Sequence, residues 1–391
     1  MAALAATSAF AQVTISGRAN LDVSTYEAKG SAAGAASDVT RRTRVADGSS
    51  RIIIAANEDL GGGLRAGMYC ETGINIDNGS FYGQADTPNA NTTSFCSREG
   101  RAYIGNDMGE IRLGRQNVWW TQGELNQIGS NLAVKDVFTD LFTGGVGQYT
   151  TRGENMIKLL AGKSFGAFAN SEIYTGYMGK TGFDLTTTQA TGEGAKNPAG
   201  KYSGFKLLYT AGKVVGMADY QTSKNSGATL VEQATDYAGA AAAAAAQYNR
   251  SGTKYGVGYK YGGPESLVSV QIYNKERSAI AAGSKTEKDK GYGLTVHHDM
   301  GGGVVLLGQY AKADKRSYSD ATAQTENGAS AYTLGALKRL SKRTHVFTNY
   351  SVINNDAAGT YNLSGGNYAS ANGVSAGSTV KTMAFGLQHW F

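Results

Sequence analysis

Few groups in this chain are placed for covalent chemistry. The histidines are His297, His298, His345 and His389, and none stands at metal-ligand spacing from a cysteine or aspartate. The G-x-S-x-G spacing at 162–166 and 373–377 makes no persuasive nucleophile elbow, because no serine, histidine and acid converge in the sequence as a nucleophilic set. The chain is therefore expected to be no enzyme and to need neither metal nor cofactor. Cys70 and Cys96 flank a polar stretch. In an oxidising compartment they could form a disulfide across the base of a loop; the alternative is two free thiols. What remains is charge. With 37 basic and 31 acidic residues the net is +6. That is too mild an excess, without a basic block or zinc pattern, to point to nucleic acid. It suits anions in a pore, or anionic lipid at a surface.

Such charges need elements to hold them, and the last nine residues show what kind. In M-A-F-G-L-Q-H-W-F, the residues Met383, Phe385, Leu387, His389 and Phe391 share one parity, and Ala384, Gly386, Gln388 and Trp390 the other. This is the period of a strand. Similar segments recur along the chain. In 64–73, Leu64, Ala66, Met68 and Cys70 alternate with Arg65, Gly67, Tyr69 and Glu71; in 266–277, Val268, Val270 and Ile272 form the apolar set. No run approaches the ~18 apolar residues of a membrane helix, yet 54 glycines, 23 tyrosines and 12 phenylalanines suit many strands, tight turns and aromatic belts.

The connections alternate in kind. Tight ones lie at 60–63, 106–109, 212, 262–265, 301–303 and 341–343, rich in glycine and polar residues. Long polar ones lie at 29–49, 75–93, 117–151, 179–200, 224–252, 278–290, 315–330 and 355–378. Short turns on one rim and long loops on the other predict an all-β, transmembrane, antiparallel up-and-down barrel of about 16 strands. A closed barrel satisfies every backbone polar group, as lipid demands. A β-sandwich or solenoid also alternates, but needs no such segregation of loops, and no repeat of 20–50 residues is present. Residues 1–11 look like the tail of a secretory signal, with Ala9-Phe10-Ala11 as the small-x-small cleavage site. The expected division is thus 1–11, a residual signal peptide, and 12–391, a single barrel domain.

Several stretches resemble the Gram-negative general porins, trimeric diffusion channels of the outer membrane, and in particular the betaproteobacterial type. They are Gln12 to Asp22 as a first strand; Ser50-Arg51 followed by Asn57-Glu58-Asp59-Leu60-Gly61-Gly62-Gly63-Leu64-Arg65-Ala66; Ala102-Tyr103-Ile104-Gly105 with Leu113-Gly114-Arg115-Gln116; Leu340-Ser341-Lys342-Arg343-Thr344; and Gly386-Leu387-Gln388-His389-Trp390-Phe391. Ile53, Ala55 and Ala56 depart from the family pattern, as do residues 117–151 and the alanine tract 240–246.

The resemblance implies an inward-folded third loop, here 117–151, carrying Glu124, Asp136 and Asp140 and also Trp119-Trp120. It implies a ladder of arginines on the facing wall. Arg51 matches the basic residue of the second strand and Arg152 the one after the loop. Arg98 and Arg101 compete for the position between them; Arg98 is favoured if Tyr103 faces lipid. Arg65 has lumen parity in its strand. Facing charges would set a transverse field across a water-filled gap, and the excess sign would set ion preference. Tyr103, Trp390 and Phe391 are candidates for the interfacial aromatic belt. The alternating Phe385, Leu387, His389 and Phe391 resemble the signal read by the outer-membrane assembly machinery. The implied function is passive diffusion of ions and small hydrophilic solutes, weakly anion-selective; the alternative is a porin specific for an anionic nutrient. Implied partners are a homotrimer, outer-membrane lipid and lipopolysaccharide, the assembly machinery, and small ions and solutes.

Overall fold

The computed structural model describes residues 12–81, 95–118, 125, 136–143, 152–177, 201–226, 248–279, 286–319, 326–363 and 374–391. Residues 1–11, Trp119-Trp120, Glu124 and the alanine tract lie outside the described residues. Among the described residues there are nineteen strands: β1 (Gln12–Lys29), β2 (Val39–Asp47), β3 (Arg51–Gly61), β4 (Leu64–Asn75), β5 (Ser80–Phe81), β6 (Glu99–Asn106), β7 (Gly109–Asn117), β8 (Arg152–Ala161), β9 (Glu172–Tyr177), β10 (Lys201–Ala211), β11 (Val214–Ser226), β12 (Tyr248–Lys260), β13 (Leu267–Ala279), β14 (Thr286–Gly301), β15 (Val304–Ala313), β16 (Ser317–Tyr318), β17 (Ala329–Arg339), β18 (Thr344–Asn355) and β19 (Thr379–Trp390).

All pairings are antiparallel, and β19 returns to pair with β1, from Arg18 opposite Trp390 to Lys29 opposite Thr379. β3 pairs with the first part of β1 and β2 with the rest, so β2 and β3 are one stave broken at 48–50. β5 and β16 are two-residue additions. The wall is therefore a closed barrel of sixteen staves, as the alternating loops predict.

One connection is corrected. Residues 29–49 are not a single loop, because β2 occupies 39–47. Its T-R-R-T-R sequence reads as a solvated run, but the long upper half of β1 needs a partner and takes this segment. Val45 then faces outward opposite Val23, and Ala46 inward opposite Asp22. The tight turns follow from glycine: Gly301, Gly302 and Gly303 all have positive φ, at 76°, 58° and 78°, which side chains disfavour.

Outward positions are apolar and exposed. Val270 and Ile272 on β13, Met68 on β4, and Met383, Phe385 and Leu387 on β19 all carry large apolar area to the outside. Inward neighbours such as Gln271, Tyr273 and Lys275 are buried. Several inward glycines sit beneath a neighbouring ring: a Cβ on Gly67 would strike Tyr103, one on Gly204 would strike Tyr174, and one on Gly291 would strike Tyr273. This glycine–aromatic pairing reverses the expected direction of Tyr103. It faces the lumen, and Ala102 and Ile104 face out.

The interior holds a short helix, α1 (Val137–Thr143), from the 117–151 loop. Its Val137, Phe138, Leu141 and Phe142 are buried with Tyr273, Ala311, Ala313, Ala329, Ala331 and Ile353 of the wall. The wall is made small to receive it: a Cβ on Gly293 would lie 2.3 Å from the Phe138 ring. The Gln309 side chain accepts from the Phe138 N–H at 3.0 Å. At the other end, Lys275 Nζ donates to the Phe142 carbonyl at 2.5 Å, a cation on the negative end of the helix. Earlier in the same loop, Leu125 is buried above Gly256 and Gly258, and its carbonyl accepts from Ser269 Oγ at 2.6 Å. Leu125 and α1, the described parts of the third loop, thus dock on the wall around β12 to β17.

Candidate functional site

Facing that docked loop, on the arc from β1 to β8, lies a cluster of arginines. Arg51 stands at the head of β3 and Glu71 on β4, with Arg98 just before β6. Glu71 binds them together. Its Oε1 accepts from Arg51 Nη1 at 2.9 Å and from Arg98 Nε at 2.5 Å, and its Oε2 accepts from the Tyr69 hydroxyl at 2.8 Å. Arg18, inward on β1, donates through Nη2 to the carbonyls of Gly48 and Ser49 at 3.1 and 2.8 Å. Those carbonyls turn inward because the stave is broken there, with Ser49 at φ 73°. Asp47 holds the break: its Oδ1 accepts from Ser50 N–H at 2.7 Å and its Oδ2 from Ile76 N–H at 3.0 Å. Arg152 opens β8 and lies in the electrostatic field of Arg98, Arg115, Glu71 and Glu99. Counting Arg18, Arg51, Arg98, Arg101, Arg115 and Arg152 against Asp47, Glu71 and Glu99 leaves a positive excess among the described residues.

A second polar patch continues down the wall. Glu99 pairs with Arg101 and accepts from Asn117 Nδ2 at 2.5 Å. Arg101 stacks on the Tyr69 ring, 4.1 Å from its centroid. Lys158 donates to the Asn117 carbonyl at 2.6 Å and pairs with Glu172 at 3.0 Å, and Lys206 reaches the same carboxylate at 3.7 Å. These cations are largely neutralised by their own acids.

Not every residue singled out from sequence joins the cluster. Arg51 and Arg98 do, through Glu71, and Arg152 stands beside them. Arg101 also faces inward, so the choice between it and Arg98 is decided by position: Arg98 touches Glu71, and Arg101 touches Glu99. Arg65 is inward too, but it sits beside the 61–64 turn and pairs with Glu110 at 3.7 Å. Six residues of strand separate it from Glu71, about 20 Å. Parity gives the side of a wall and not the height, so Arg65 belongs to the turn rim and not to the arginine cluster.

Asp136 caps α1, its carboxylate accepting from the Thr139 N–H at 3.0 Å and from the Thr139 hydroxyl at 2.5 Å. Asp140 is buried on α1, and Glu124 lies outside the described residues. Trp390, expected in the aromatic belt, instead faces inward beneath Arg18 and Arg51, with guanidinium-to-centroid distances of 5.3 and 5.8 Å. Phe385, Leu387, His389 and Phe391 all lie on the outer parity, and the His389 ring meets the Thr344 hydroxyl at 2.8 Å. Cys70 and Cys96 are joined by a disulfide, with their Cα atoms 4.7 Å apart.

The residues missed from sequence are Arg18, Glu71, Glu99 and Trp390. Glu71 carried a usable signal, since it shares lumen parity with Arg65. Arg18 and Trp390 become visible only through the register of β1 against β19.

Comparison with known proteins agrees with this architecture. The family model described as Gram-negative porin matches residues 1–358. Outer membrane porin protein 32 of Delftia acidovorans is 28% identical over 353 residues, covering 88% of this chain and 85% of that protein. The anion-selective porin from Comamonas acidovorans shares the fold with a TM-score of 0.68 at 22% identity, across 98% of this chain and all of that one. OmpT of Vibrio cholerae, solved in a trimer form, shares it with a TM-score of 0.57 at 12% identity, across 97% and 99%. Because the family match runs over most of its length, this chain belongs to the Gram-negative porins, passive water-filled channels of the outer membrane.

Proposed function

We propose that the channel is weakly anion-selective, and that its selectivity is set where Arg18, Arg51, Arg98 and Arg152 face the docked third loop. One observation carries this: among the described residues, these four arginines, with Arg101 and Arg115 beside them, are gathered on one arc around three carboxylates, Asp47, Glu71 and Glu99. Arginine stays charged at any physiological pH, so the excess persists. The field acts across a gap narrowed by α1, where a passing ion cannot avoid it. The relative from Comamonas acidovorans, called anion-selective, supports the same reading.

The working form is a homotrimer, a reading supported by the trimer form of the Vibrio cholerae relative. The outer wall takes outer-membrane lipid and lipopolysaccharide. The outward Phe385, Leu387, His389 and Phe391 act as the signal for the assembly machinery, after residues 1–11 have served as a leader.

Single-channel recording in planar bilayers under a salt gradient tests this. Ohmic steps arriving in threes, with a reversal potential toward the anion side, are expected. Replacing Arg51 and Arg152 with glutamate should move that potential toward the cation side, and an unchanged potential removes both residues from the pore. Block at low concentration by a single anion would instead favour a porin specific for an anionic nutrient.

A further inference from the structure

The last residue of the closing strand, Trp390, is the least expected member of the site. On β19 Met383, Phe385 and Leu387 point outward, as does Phe391 just after it, and Gln388 points inward and is fully buried. Trp390 shares the parity of Gln388. The seam register sets it directly opposite Arg18, which is itself opposite Arg51 on β3. The three residues form one row across three adjacent staves. Both guanidinium groups lie against the indole, 5.3 and 5.8 Å from its centroid.

The geometry has a chemical consequence. A guanidinium held by its flat face keeps its N–H edge available. Arg18 uses that edge on the Gly48 and Ser49 carbonyls, and Arg51 uses its edge on Glu71. Those hydrogen bonds hold the edges of the two groups; the ring beneath adds a second restraint, on the face, against the mutual repulsion of two like charges on neighbouring staves. The backbone around Trp390 is also fixed: its N–H donates to the Arg343 carbonyl at 2.8 Å, and the next residue, Phe391, exchanges two 3.1 Å hydrogen bonds with Gly17.

We propose that Trp390 is a positioning residue of the selectivity site: its indole backs both Arg18 and Arg51, so pairing β19 with β1 both closes the barrel and completes the arginine cluster. This rests on the reading that Arg51 contributes to selectivity. The row carries no ligand of its own; it sets the posture of the charges that ions pass.

The test uses the full-length channel with Trp390→Leu and Trp390→Phe. Leucine keeps apolar bulk and removes the ring, and phenylalanine keeps a ring. Folding is read from heat-modifiable gel mobility, and function from reversal potential and open-channel current noise. Trp390→Leu should lower the anion-to-cation permeability ratio about two-fold and raise the noise, with Trp390→Phe restoring most of both, in keeping with the modest strength of such stacking. Parental selectivity and noise in a folded Trp390→Leu channel overturn the proposal. Arg51→Gln is measured alongside. If it leaves selectivity unchanged, the reading of the cluster has failed; if it changes selectivity and Trp390→Leu does not, only the role of Trp390 has failed. Should Trp390→Leu not insert, fluorinated tryptophan is incorporated into a Trp119→Phe, Trp120→Phe background. Fluorination weakens the negative face of the indole at nearly constant shape. A lowered permeability ratio then supports the proposal, and an unchanged one overturns it.

Discussion

Replacing Glu71 with glutamine should make the channel more anion-selective, by an amount that can be worked from its surroundings. Glu71 is buried between Arg51 and Arg98 and is the carboxylate in contact with both. Glutamine keeps an acceptor for one arginine and for the Tyr69 hydroxyl but removes a negative charge. The local balance moves from six positive and three negative groups to six and two. An ion passing about 6 Å from the lost charge, in a water-filled gap, feels a change of about 0.7 kcal/mol. Screening at 0.1 M salt, with a Debye length of about 10 Å, lowers this to about 0.4 kcal/mol. The change has opposite sign for anions and cations, so the permeability ratio moves by about 0.8 kcal/mol, or roughly four-fold. The assay is the zero-current potential across a ten-fold salt gradient, repeated at 1 M salt, where a Debye length of about 3 Å should erase most of the effect. A ratio that stays constant or falls, in channels of normal unitary conductance, would refute the electrostatic account. It would mean that Glu71 acts by clamping the arginines, and that their release costs more anion attraction than the lost carboxylate was cancelling.

Other perturbations separate the wall, the loop and the seam. Substituting both cysteines by serine opens a link spanning 26 residues, which on a chain-entropy basis should cost about 3.5 kcal/mol. Guanidinium unfolding followed by gel mobility should show the loss, and equal stability of the two forms would count against a stabilising bond. Gly293→Val places new atoms where the Phe138 ring now lies; overpacking of about 1–3 kcal/mol should undock α1 without unfolding the barrel. Altered unitary conductance and added current flicker are expected, and parental conductance would deny α1 a part in the constriction. Deleting Phe391 removes two backbone hydrogen bonds to Gly17 and the ring that covers it. Assembly in cells should fall sharply, with near-normal conductance in the few channels that form; normal insertion would leave Phe391 a closing role alone.

How much of this was legible beforehand depends on which physical rule governs each residue. Alternation along 266–277 and 383–391 gave the correct faces, because lipid on one side of a wall forces the period. β2 was hidden because three arginines in six residues look like solvent-exposed chain, and only the length of β1 calls for a partner there. The direction of Tyr103 is decided by a neighbour on another strand: Gly67 leaves the space its ring fills. The height of Arg65 against Glu71 likewise depends on counting residues from a turn. Local rules gave the strands, and cross-strand register, which joins residues as distant as Arg18 and Trp390, gave the site.

That register also explains why the charges and the loop occupy opposite arcs. The inward positions of β14, β15 and β17 include Gly291, Gly293, Ala311, Ala313, Ala329 and Ala331. Such small residues leave room for a helix. Further along β1, Tyr26 and Ala28 join the helix cluster, but at the height of the arginines the inward positions of β1, β3 and β4 are Arg18, Asn20, Arg51, Tyr69 and Glu71, too large and too polar to pack beneath an apolar helix. Docking α1 on the arginine arc would bury guanidinium groups without partners, at a cost of several kcal/mol for each ion. Docking it on the small-residue arc buries Phe138, Leu141 and Phe142 against alanine and glycine, with Lys275 closing the helix end. The distribution of small residues around the wall therefore determines where the loop lies, and so where the water-filled gap remains. The arginines line that gap because it is the arc on which the helix cannot dock.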